Sequence, residues 1–141
     1  MRLVLDTSVL VSAFRSRKGA SRRIVNLILQ RQIEAVVTAA LYFEYEMVLK
    51  RFVHAEVHGH TEAEIDRFLV LFAGFTTKAK IYYRYRPQLS DPDDECVLDA
   101  AISGHAKAIV THNTSDFLPV ASHFGIQVVT PASILQERSW L

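Results

Sequence analysis

The chain has 141 residues, half of them hydrophobic, and its 16 basic against 15 acidic side chains leave a formal charge of +1. That size and apolar content suit one domain able to bury its own core, while the near-neutral balance excludes holding a polyanion by bulk charge alone, so any such ligand must meet a local patch. A single cysteine, Cys96, excludes an internal disulfide and a cysteine-based zinc cluster; with no apolar run near the roughly 20 residues of a membrane span and no signal-peptide layout, a soluble cytoplasmic protein is expected.

Arg2 to Leu5 reads as a short buried strand ended by Asp6-Thr7-Ser8, and a helix from about Val9 to Phe14 follows. Arg15 to Gly19 breaks the chain. Ser21 opens a second helix running to about Gln32, with Ile24, Leu27 and Ile28 inward. Ala35 to Thr38 is a β-branched buried strand, and Ala39 to Phe52 is strongly helical. Thr61 and Glu64 form a capping box for a helix to about Phe72. Lys80 to Tyr83 is expected as a short strand, Asp91-Pro92 opens a helix ending near Gly104, Ala108 to Thr111 and Gln127 to Val129 are strands, and Pro131 starts a last helix. No repeat or linker divides the chain, so residues 1–141 form one domain. Short apolar strands alternating with helices predict an α/β fold with a central, mainly parallel sheet covered on both faces. Ligands of such sheets gather at the carboxyl ends of the strands, where Asp6, Asn113 and Asp116 all fall.

Helical phase sorts the remaining acids. At 100° per residue, Leu41, Tyr45, Val48, Leu49 and Phe52 share one face, with Glu44 beside it and Glu46 well away. In the helix after Asp91, Val97, Leu98 and Ala101 face inward with Asp94, whereas Asp99 is expected to turn aside. Each acid alone has a plain structural use: Asp6 as an N-cap, Glu44 as a half-exposed helical acid, Asp94 as a first-turn acid, Asp116 in an Asx-type turn. Their common placement toward one sheet edge is what points to chemistry, because several carboxylates aimed at one point need a cation or a reacting phosphate to neutralise them.

LDTSVLVSAF, Glu44 within LYFEYEMVLKR, and DPDDECVLDAA followed by AIVTHNTSDF resemble, in that order and over nearly the full length, the signatures of PIN domains, particularly the small VapC-like toxins. The resemblance implies a three-layer α/β/α sandwich and a metal-dependent ribonuclease with Asp6, Glu44 and Asp94 as its acidic centre, giving 5′-phosphate and 3′-hydroxyl ends. Many members carry a fourth acid where this chain has Asn113; a variant T-x-N-x-x-D-F pattern puts it at Asp116. Thr7, Ser8 and Thr111 match polar positions that support the acids or a bound water. An antitoxin partner and a homodimer are also implied, the latter in keeping with apolar helices such as Ile65 to Phe72.

Carboxylates without His or Cys partners favour hard ions such as Mg²⁺ or Mn²⁺ over zinc. In this scheme Asp6 and Asp94 bind the main ion, Glu44 orients or deprotonates the attacking water, and Asp116 completes a second or outer-sphere site. Arg15, Arg17, Lys18, Arg22 and Arg23 are candidates for holding RNA phosphates, with a solvated loop and helix face as the alternative. Lys78, Lys80, Arg84 and Arg86 interleave with Tyr82, Tyr83 and Tyr85, a composition suited to base stacking, although core tyrosines would alternate in the same way. His54, His58 and His60 lack the acidic general base of a His-Glu-x-x-His site. Three other readings stand beside the toxin: a housekeeping RNA-processing nuclease; a phosphatase using Asp6 as nucleophile, disfavoured because Ser8 stands where a second Asp is needed; and a non-catalytic RNA- or protein-binding relative, for which the departure at Asn113 speaks.

Overall fold

A computed structural model describes residues 2–51, 56–81 and 88–137. In chain order these give β1 (Arg2–Leu5), α1 (Thr7–Arg15), α2 (Ala20–Leu29), β2 (Glu34–Val37), α3 (Ala39–Leu49), α4 (Glu62–Gly74), β3 (Thr77–Lys78), α5 (Glu95–Ser103), β4 (Ala108–Val110), α6 (Leu118–His123), β5 (Gln127–Val129) and α7 (Pro131–Gln136), with 3₁₀ turns at Pro92–Asp94 and Thr114–Asp116. The sheet runs β3-β2-β1-β4-β5 with every pair parallel, and helices cover both faces in a three-layer α/β/α sandwich.

Central β1 has Leu3, Val4 and Leu5 all buried, as a strand covered on both faces must. The chain builds the sheet outward from β1 through β2 to β3, then returns to place β4 on the other side of β1. That reversal is a topological switch point, and it opens a crevice at the carboxyl ends of β1 and β4. Asp6 sits there, its backbone N–H donating to Val110 O at 2.9 Å, and Thr111 donates likewise to Val129 O at 2.9 Å. The two 3₁₀ turns lie at the same rim.

The helix starts follow from side-chain caps. Thr38 accepts from Leu41 N–H, Thr61 from Glu64 N–H, and Thr130 with Ser133 forms a reciprocal capping box ahead of Pro131. At the end of α5, the left-handed residue is His105 (φ 52°), and Ala106 N–H returns to Ala101 O at 2.9 Å. Gly104, one residue earlier, serves closeness instead of φ: a Cβ there would collide with Val36 Cγ1 on β2. Near the other end of α3, His58 accepts from His60 N–H at 2.9 Å and reaches Leu49 O, while the His60 ring lies edge-on to Phe14 and bonds Glu64. These two histidines tie the α3–α4 connection to α1; His54 lies outside the described residues.

The third strand differs from the expectation. It forms at Thr77–Lys78, where Val36 and Val37 offer partners, and Lys80 and Ile81 run on without pairing; Tyr82 and Tyr83, with Arg84, Tyr85 and Arg86, lie outside the described residues. Within α4, Ile65, Leu69 and Phe72 are spent on the core, leaving Val70 and Leu71 exposed. Among the described residues, no helix is long and apolar enough to cross a membrane.

Candidate metal centre

Asp6 is the fixed point of the crevice. It follows β1 directly, is 5% exposed, and has one carboxylate oxygen claimed by two hydroxyls: Ser8 Oγ donates to Oδ2 at 2.8 Å and Thr111 Oγ1 at 2.7 Å. Oδ1 has no hydrogen-bond partner among the described residues. One oxygen is thus anchored while the other is left for a ligand. Beneath it, fully buried Tyr45 donates its hydroxyl to Leu5 O at 2.5 Å, which clamps α3 to the end of β1. Burial, and then the nearby Asp6 charge, hold that phenol well above its usual range.

The charge of Asp6 acts on two more carboxylates, Asp94 and Glu44, and that of Asp116 acts on Asp94. Asp94 closes the 3₁₀ turn ahead of α5, where Asp91 Oδ1 caps Asp93 N–H at 2.9 Å with Pro92 at the first helical position. Partial burial comes first in pushing the Asp94 carboxyl up to about 7, followed by the charges of Asp6, Asp91, Asp116 and Asp93. Glu44, half-buried on α3, is raised too, by burial first and then by Asp93, Asp6 and Asp91, with Arg51 opposing. A cavity of about 200 Å³ is lined by Asp91, Asp94, Ser115 and Asp116. None of the Glu44, Asp94 and Asp116 carboxylates has a hydrogen-bond or ion-pair partner among the described residues. Such like charges repel and hold on to protons, and at Glu44 the Arg51 charge offsets this only in part.

The donor chemistry is entirely oxygen, which suits a hard divalent ion. Among the described residues no three acidic, histidine or cysteine groups form a ready-made metal cage. Carboxylate oxygens are the donors that Mg²⁺ and Mn²⁺ take, whereas zinc sites draw on His and Cys.

Of the polar residues expected as supports, Ser8 and Thr111 bond Asp6, while Thr7 and Asn113 line a neighbouring cavity. Thr111 is fully buried and accepts Asn113 N–H at 2.9 Å besides holding Asp6; Ser8 accepts His112 N–H at 3.3 Å. Thr7 and Ser8 lie on a neighbouring cavity with Arg15 and Asn113. Of the basic residues, Arg17, Lys18 and Arg23 are exposed, while Arg22 is turned back onto α1, donating to Ala13 O at 3.0 Å beside the Phe14 ring.

Two acids behave differently from their sequence reading. Asp99, expected to turn aside, is 3% exposed, because α5 packs against β1, β2, β4 and α3 and has few open faces. Glu95, which the sequence reading passed over, is also buried; its Oε1 accepts the backbone N–H groups of Gln88 (2.7 Å) and Leu89 (2.9 Å) and so fixes the loop that walls the acidic cavity. Asp91 and Asp93, read as helix-start residues, also add charge to the site. Their signal was present in the run of three acids around Pro92.

Comparison with known proteins agrees with this fold. A chain of the VapBC2 complex from Rickettsia felis, solved bound to a DNA fragment from their promoter, superposes with a TM-score of 0.63 at 16% identity, covering 92% of this chain and 98% of that one. A chain of DNA-bound VapBC from Salmonella typhimurium gives 0.62 at 14% identity, with coverage of 93% and 98%. No curated protein matches the sequence. A family model for PIN domains matches residues 2–115, a span holding Asp6, Glu44 and Asp94 and stopping one residue short of Asp116. On that match, and on a fold shared over nearly its whole length, the chain belongs to the PIN-domain family.

Proposed function

We propose that this protein is a Mg²⁺- or Mn²⁺-dependent endoribonuclease and the toxin of a toxin-antitoxin pair. The observation that carries the reading is the mutual charge influence of carboxylates around Asp6, with the Asp94 carboxyl pushed up to about 7 by burial and by Asp6, Asp91, Asp116 and Asp93. Asp6 and Asp94 would hold the ion, which when bound lowers the pKa of a coordinated water and offsets charge on the scissile phosphate. Glu44, kept above its ordinary range by burial and acidic neighbours, would accept a proton from the attacking water. Asp116 stands close enough for its charge to act on Asp94, which favours it over Asn113 as the fourth acid. Ser8 and Thr111 keep Asp6 from rotating, and Arg15, Arg17, Lys18 and Arg23 supply phosphate contacts along the rim.

The partner assignment rests on the family resemblance and on the two-component VapBC assemblies in which both structural neighbours occur. Apolar side chains on α3 and α4 stand in water, among them Phe43, Met47, Val70 and Leu71, and support a protein interface, including a homodimer.

The test is incubation of the purified protein with end-labelled RNA in Mg²⁺, in Mn²⁺ and in chelator. Metal-dependent fragments bearing 5′-phosphates, absent for Asp6→Asn, are expected. RNA left intact in both metals would overturn the nuclease and leave a non-catalytic RNA- or protein-binding domain.

A further inference from the structure

We infer that a second cavity beside the acids is a nucleotide subsite for RNA, with His112 as a specificity residue. The inference rests on the nuclease reading for its place in the reaction. The cavity measures about 440 Å³, within the range of small-ligand sites, and begins at Thr7 and Ser8, the two residues immediately after Asp6. Val11 and Val48 provide apolar wall for the face of a base or sugar. Ser12, Arg15, His112 and Asn113 provide polar groups on the same lining.

His112 is held at both ring and backbone. Its ring Nε2 lies 2.8 Å from Ser21 Oγ, a hydroxyl that is itself 2% exposed near the start of α2. Its backbone N–H donates to Ser8 Oγ, and the next residue's N–H donates to Thr111 Oγ1. Nδ1 and the Asn113 carboxamide have no hydrogen-bond partner among the described residues. An exposed ring with one nitrogen fixed and the other unspent is preorganised to read a ligand, as its rotamer entropy is already lost. Ser8 and Thr111 are also the two hydroxyls that anchor Asp6 Oδ2. The same hydrogen-bonded frame therefore sets the loop that carries His112 and the acid Asp6. Hydroxyl and carboxamide groups beside a short apolar wall suit the edge and face of a base, with Arg15 toward its phosphate.

The experiment is an NMR titration of the full chain, in chelator, with each of the four nucleoside 5′-monophosphates, followed at the His112 ring and the Asn113 carboxamide. Saturable shifts at both groups are expected, with the four bases differing in affinity, about tenfold weaker binding in His112→Ala, and a smaller loss in Ser21→Ala. On an RNA pool with Mg²⁺, His112→Ala should broaden the nucleotide preference beside the cut while cleavage stays metal-dependent. Absence of saturable shifts, or equal binding by His112→Ala, overturns the subsite whether or not RNA is cleaved. Nucleotide binding at His112 with RNA intact in both metals would support the subsite and remove the nuclease reading instead.

Discussion

Thr111 Oγ1 donates to Asp6 Oδ2 at 2.7 Å, joining two residues 105 positions apart in sequence and fixing the acid at the end of the central strand from the end of its neighbour. Because Thr111 is fully buried, this bond is not shared with solvent. Thr111→Val keeps the shape and removes the donor. Supports of this kind are worth about 10–100-fold in metal affinity or activity, so a loss of that order is expected, with Thr111→Ser restoring most of it. Cleavage rates at several Mn²⁺ concentrations check this; an unchanged metal dependence in Thr111→Val would mean Asp6 needs no anchor.

The acidic centre should make the metal-free protein sensitive to pH. Asp94 is raised to about 7 from an ordinary 3.8, so across that interval the folded chain binds more protons than the unfolded one. Stability must then fall as pH rises from about 4 to about 7, and Glu44, also raised, adds to the fall. In chelator, the melting temperature should decline over this interval, more shallowly for Asp94→Asn, and Mg²⁺ should recover part of the loss at the alkaline end. A metal-free melting temperature that climbs instead would contradict the carboxylate cluster.

Tyr45→Phe probes the clamp between α3 and β1. The hydroxyl is buried and donates to Leu5 O, so its removal should cost about 1–2 kcal/mol. Urea titration should show a lower midpoint with the same slope. A midpoint equal to wild type would show that the bond has no net worth.

Gly104→Ala tests close approach in place of backbone freedom. A methyl there meets Val36 Cγ1 and, at 2.9 Å, Ala100 O, so overpacking of about 1–3 kcal/mol is expected although the φ of −89° is open to any residue. Val36→Ala in the same chain should relieve part of that cost in a double-mutant cycle. Strict additivity would place the strain elsewhere.

Much of this architecture was legible because local and tertiary demands agree. The apolar run before Asp6, the Thr61 cap, Pro131 and the proline after Asp91 each mark an element that forms close to where expected. Helical phase set Glu44 apart from Glu46 on α3, where Glu46 pairs with Lys50 while Glu44 feels the charges of Asp93, Asp6 and Asp91. Phase failed for Asp99, because α5 is enclosed by the sheet and α3 and has almost no solvent face to point toward. The strand at Thr77–Lys78 was not foreseen because Thr77 carries little local apolar signal, whereas pairing with Val36 and Val37 sets it. Glu95 and the Ser21–His112 contact left no local trace: the first depends on how a loop folds back, the second on a partner 91 residues away.

The central claim is that remote carboxylates jointly hold one hydrated divalent ion, and Mn²⁺ binding followed by electron paramagnetic resonance tests it most directly, without reference to any substrate. Wild type should bind Mn²⁺ saturably, Mg²⁺ should compete, and Asp6→Asn and Asp94→Asn should each weaken binding by about tenfold or more. Folded variants that bind Mn²⁺ as well as wild type, or a wild-type chain that takes up none, would contradict the account.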